Sequence, residues 1–80
     1  MIERTIQALA SLEARPAAMF VQTASQFASS IYLRMDNKTI NAKSIMGVIA
    51  LEITRGDALR LQAEGPDEAE AAAALAAYLQ

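Results

Sequence analysis

The sequence predicts an α+β domain in which a four-stranded antiparallel sheet carries three helices on one face, in the order βαββαβα. Three observations carry the prediction: segments alternating apolar and polar with period two, apolar residues at helical spacing between them, and turn or cap residues at the junctions. Strands with one polar side need cover on the other side only, and helices gathered there supply it.

In the first segment Ile2, Ile6 and Ala8 fall on one side and Glu3, Thr5 and Gln7 on the other, which predicts a strand with one wet face. From Pro16 the period changes, with Ala17, Phe20, Val21, Ala24 and Ala28 at helical spacing. Proline suits a first helical position, so a helix is predicted from Pro16 to about Ala28. Ile31, Leu33 and Met35 then alternate with Tyr32, Arg34 and Asp36, and after Asp36-Asn37 a return segment runs through Thr39, Ile40, Asn41 and Ala42. That is a hairpin signal. Ser44 is a good N-cap for the short apolar stretch that follows it to Leu51, which reads as a helix and less well as a buried strand. Arg55-Gly56-Asp57 makes a turn, and Leu59, Leu61 and Ala63 alternate with Arg60, Gln62 and Glu64 in a last strand. Gly65-Pro66 breaks the chain, and Asp67 with Glu70 three residues on resembles a capping box. The terminal helix carries the apolar stripe Ala71, Ala72, Leu75, Tyr78 and Leu79.

Eighty residues, 1–80, are read as one domain, and a chain of this size buries only about 60% of the surface it exposes when unfolded. It has no cysteine for disulfides and no cysteine or histidine for zinc, so apolar burial must hold it, with 54% hydrophobic residues available. No metal and no cofactor is expected. The net charge of −2, the pI near 4.9 and the scatter of the seven Lys and Arg residues argue against a nucleic-acid surface. Glu3 and Arg4 interrupt the start where a signal peptide needs its apolar run, and no stretch approaches membrane-spanning length, which predicts a cytoplasmic protein. The sequon Asn37-Lys38-Thr39 and the tripeptide Arg55-Gly56-Asp57 are then read as turns. Without histidine or cysteine the chain is expected to work by binding other proteins rather than as an enzyme.

Two helix starts are the candidate sites. At the first, Pro16 biases Arg15 toward extended geometry and leaves Glu13 just before free amides at the positive end of the helix dipole. As plain structure, Glu13 there stabilises the helix by roughly 0.3–1 kcal/mol and Arg15 is a solvated charge. At the second, Lys43-Ser44-Ile45-Met46-Gly47, the Ser44 hydroxyl caps a helix, worth about 1 kcal/mol. Phosphorylated, the same serine would place about −1.5 to −2 charges at a helix start, where they are tolerated. Ile45, Met46, Val48, Ile49, Ala50 and Leu51 surround this helix, yet a sheet covers one side of it, so some must face outward as a docking surface. A small enzyme using Glu13 and Arg15 as acid/base and anion clamp finds no further convergent polar groups in the sequence.

Both segments resemble the HPr family, the small phosphocarriers of the bacterial sugar phosphotransferase system. Ala14-Arg15-Pro16-Ala17-Ala18 is similar to the family's active-site loop, and Asn41-Ala42-Lys43-Ser44-Ile45-Met46-Gly47-Val48 to its regulatory serine segment. Similarity extends through Phe20-Val21-Gln22-Thr23-Ala24-Ser25 and Gly65-Pro66-Asp67-Glu68-Ala69, so it covers nearly the whole chain. The resemblance implies the family's open-faced β-sandwich, which agrees with the element order.

The departure concerns mechanism. The family's phosphorylated histidine immediately precedes Ala-Arg-Pro, and here that position is Glu13. Phosphate carriage through a histidine is therefore not expected. Loss of the histidine beside a kept serine segment is similar to the Crh-like branch of the family, where glutamine takes that position. That resemblance implies phosphorylation of Ser44 by HPr kinase/phosphorylase, followed by binding to a CcpA-type repressor in carbon catabolite repression. It implies partner contacts through Arg15, Lys43, Ile45, Met46 and Ile49. Two alternatives stay open: an interaction module acting without phosphorylation, in which Glu13 supplies a constant charge, and an ordinary carrier whose histidine has been replaced by Glu13.

Overall fold

The computed structural model describes residues 1–9, 11–12 and 14–79. Its elements are β1 (Ile2–Gln7), α1 (Ala14–Ala24), β2 (Ser30–Met35), β3 (Lys38–Asn41), α2 (Ile45–Leu51), β4 (Ala58–Glu64) and α3 (Glu68–Leu79). The strands form one antiparallel sheet in the order β1-β4-β2-β3. This is the predicted βαββαβα fold.

Period-two alternation decides which side of the sheet is covered. Ile6, Ile31, Leu33, Leu59, Leu61 and Ala63 are buried on one face, with Leu33 directly opposite Leu61 and Ile31 opposite Ala63. Phe20 of α1, Val48 and Leu51 of α2, and Leu75 and Leu79 of α3 close the core over them. Phe20 meets Tyr78 edge to face at a centroid distance of 5.9 Å, joining α1 to α3. The other face of the sheet carries the polar alternates.

The limits of α1 depart from expectation at both ends. It begins at Ala14, so Pro16 lies within the first turn and Arg15 is helical rather than extended. Proline costs nothing there because amides of a first turn have no intrahelical acceptor, and the steric bias on the preceding residue is a preference that the rest of the turn overrides. Its end comes at Ala24. Ser25 N–H still bonds Val21, but Gln26 and Phe27 bond carbonyls three residues back at 3.2 Å, so the last turn tightens and stops.

What captures the chain next is Asp67. Its carboxylate accepts from Ala28 N–H and Ser29 N–H, each at 2.9 Å, and from the Ser29 hydroxyl, the one buried polar residue among those described. Asp67 therefore does not act as the capping-box acceptor for its own helix. The carboxylate that reaches back to a backbone amide is Glu68 rather than the expected Glu70, and it accepts from Gly65 N–H at 3.3 Å. These hydrogen bonds hold the Asp67 carboxyl below its ordinary value, Ser29 contributing most, and the chain's terminal ammonium at 3.1 Å does the same for Glu68. Gly65 (φ 151°) passes so close to Ser29 that an added Cβ would sit 2.7 Å from its Cα.

Candidate functional site

The site is built on the α1/α2 pair. Asn41 organises the approach to α2: its side-chain oxygen accepts from Lys43 N–H at 2.8 Å and its carbonyl from Ser44 N–H at 3.0 Å. Ser44 is then extended (φ −104°, ψ 113°), and its hydroxyl accepts from Gly47 N–H at 3.1 Å. The predicted N-cap is present, and it is exposed. A Cβ on Gly47 would stand 3.2 Å from the Ile40 Cβ, so glycine there lets α2 pack closely on β3.

Seven residues make only two turns, and the sheet side of α2 takes Val48 and Leu51. Met46 is 74% exposed, Ile45 40% and Ile49 39%, so the outer side is apolar and open to solvent. Met19 on α1, 50% exposed, adds to the uncovered apolar surface and was not foreseen. Its sequence signal is weak: it sits off the Ala17, Phe20, Ala24 stripe, where a polar residue is usual.

Lys43, expected among the partner contacts, also makes a contact within the fold. It is half-buried, and its Nζ donates to the Phe27 carbonyl at 2.7 Å, fastening the loop before α2 to the end of α1. At the opposite end, Leu12 N–H bonds the Ile53 carbonyl at 3.0 Å and Arg55 N–H the Ser11 hydroxyl at 3.4 Å. The two helices thus run antiparallel. Ser44 and Arg15 consequently lie at opposite ends of the pair, separated by roughly the 16 Å length of an 11-residue helix. Arg15 is exposed, and Glu13 lies outside the described residues. Arg15 and Ser44 are thus not brought together in one pocket.

Chemically, the arrangement offers a solvent-accessible hydroxyl at a helix start, beside apolar side chains left exposed by the described residues. Among the described residues there is no group of His, Cys, Asp or Glu able to hold a metal ion, and no helix is long and apolar enough to cross a membrane.

A family model for the PTS HPr component phosphorylation site matches residues 2–80. The chain is 52% identical over 69 residues to the HPr-like protein Crh of Bacillus subtilis (strain 168), covering 86% of this chain and 81% of that one. To the HPr-like protein Crh of Halalkalibacterium halodurans it is 45% identical over 82 aligned positions, covering 100% and 98%. The crystal structure of a phosphocarrier protein HPr from Bacillus anthracis str. Ames superposes with a TM-score of 0.95 at 46% identity, covering 99% of this chain and 96% of that one.

Proposed function

The chain belongs to the HPr family as a Crh-like member, and from that premise we propose that it is a non-enzymatic regulatory protein of carbon catabolite repression. Its switch is Ser44. HPr kinase/phosphorylase transfers the γ-phosphoryl group of ATP to Ser44 Oγ: the hydroxyl loses its proton, a new P–O bond forms, and ADP leaves. The phosphoserine is then read by a CcpA-type repressor in the cytoplasm.

The observation that carries this reading is the exposed Ser44 hydroxyl, bound to a single amide and set beside uncovered Ile45, Met46 and Ile49. A phosphate there adds about −1.5 to −2 charges where the first-turn amides of α2 point, so it marks the surface without dismantling the fold. Ile45, Met46 and Ile49 supply apolar contact and Arg15 a charge at the far end. Lys43 holds the Ser44 loop in place from behind. With Glu13 at the position of the family's phosphohistidine, the chain takes no part in carrying phosphate from phosphoenolpyruvate to sugar.

The test is repressor affinity. Kinase-treated protein binds a CcpA-type repressor at least tenfold more tightly than untreated protein, and Ser44→Ala abolishes the gain. Equal affinity of treated and untreated protein, combined with loss of affinity in Glu13→Gln, would establish the competing module in which Glu13 supplies a constant charge.

A further inference from the structure

The open face of the sheet, opposite the helices, holds an arrangement that fold stability alone does not favour. In the β2–β4 register Arg34 stands directly across from Arg60, and like charges in that position are destabilising. The neighbouring strands extend the row, with Thr5 of β1 opposite Arg60 and Thr39 of β3 opposite Arg34. Four adjacent strands, spaced about 4.8 Å apart, thus present hydroxyl, guanidinium, guanidinium and hydroxyl in line.

Among the described residues little neutralises the central pair. Glu3 comes only within 4.0 Å of Arg60, and its other oxygen takes a hydrogen bond from Gln62. Arg34 has no carboxylate within 4.0 Å among the described residues, although Asp36 is two positions along on the same face. A shallow depression of ≈ 310 Å³ lies over the pair, lined by Thr5, Arg34, Asp36, Ala58, Leu59 and Arg60.

We propose that this row is a binding site for a small phosphate dianion, as free phosphate or as the phosphate group of a small monoester, gripped between the guanidiniums of Arg34 and Arg60. Guanidinium forks match phosphate oxygens geometrically, and a dianion between two of them relieves their mutual repulsion. The flanking carboxylates set the size of the occupant. An acidic peptide or a nucleic-acid strand crossing this face would run over Glu3 or Asp36, whereas a compact dianion stays between the two arginines. The site lies on the opposite side of the molecule from Ser44, so it does not depend on phosphorylation there.

The test is an amide NMR titration of the full chain with glycerol 3-phosphate and, separately, inorganic phosphate. Glycerol in sodium chloride of matched ionic strength serves as control, with a polyglutamate peptide in parallel. Expected are saturable shifts centred on Thr5, Arg34 and Arg60, at least tenfold weaker binding in R34Q and in R60Q, and unchanged binding in S44A. Tighter binding of glycerol 3-phosphate identifies the monoester as the source, and equal binding identifies free phosphate. Without phosphate, R34Q melts ~1–8 °C above the parent because repulsion is removed. Absence of saturable shifts, shifts unaltered in both arginine variants, tighter binding of polyglutamate, or a lower melting point for R34Q would overturn the proposal.

Discussion

The starts of α2 and α3 read alike in sequence and do opposite things. Each has a capping residue ahead of a helix, Ser44 in one case and Asp67 in the other. Ser44 turns back onto its own helix, makes one side-chain hydrogen bond to Gly47, and remains exposed. Asp67 turns away from its helix and fastens the loop after α1, with Ser29 fully buried beneath it. The difference is in the neighbours. Among the described residues nothing covers Ser44, whereas the Gly65 backbone brings Asp67 against a second segment. A capping residue with both carboxylate oxygens bonded and a close backbone beside it is a structural tie, and one left in solvent with a single side-chain bond is available for modification.

The start of α3 is where a substitution costs most. Gly65→Ala forces a Cβ to 2.7 Å from Ser29 at a backbone angle that side chains rarely adopt. It is expected to destabilise the fold by roughly 2–5 kcal/mol in denaturant unfolding, whereas a loss below 1 kcal/mol would mean that the tie is loose.

The next effect is the pH dependence of Asp67. Its folded pKa is depressed below 3.8, so its contribution to stability is fully present above that value and is lost as pH falls through the lower folded pKa. Glu68, depressed from 4.5, acts in the same direction. Melting temperatures measured below pH 4 should therefore fall less steeply in Asp67→Asn than in the parent, and identical slopes would remove Asp67 from the linkage.

The smallest effect belongs to α2. Ser44→Ala loses one exposed cap and should cost about 1 kcal/mol, leaving the far-ultraviolet circular dichroism spectrum unchanged. A loss as large as that of Gly65→Ala would place Ser44 among the structural ties.

Most of the fold was legible because period and turn chemistry are local. The β2–β3 hairpin was written in Asp36-Asn37, and Asp36 takes a positive φ (55°) at the first turn position. What escaped was set by distant contacts. The start of α1 ran against the local bias that Pro16 places on Arg15. The role of Asp67 depends on residues 28 and 29, and that of Lys43 on the carbonyl of Phe27, partners that no local pattern identifies. The Arg34–Arg60 opposition was likewise invisible, because β2 and β4 become neighbours only once the sheet order is known. At the candidate site, the Ser44 cap and the outward apolar residues followed from sequence. Their separation from Arg15 by the length of α1 followed only from the antiparallel helix pair.

The most direct test of Ser44 as the switch is intact-mass spectrometry of the parent chain and of Ser44→Ala after incubation with HPr kinase/phosphorylase and ATP. Predicted is the gain of one phosphoryl group by the parent and none by the variant, with no gain in either from phosphoenolpyruvate and Enzyme I. Equal phosphorylation of parent and variant, or no phosphorylation of the parent, would contradict the assignment.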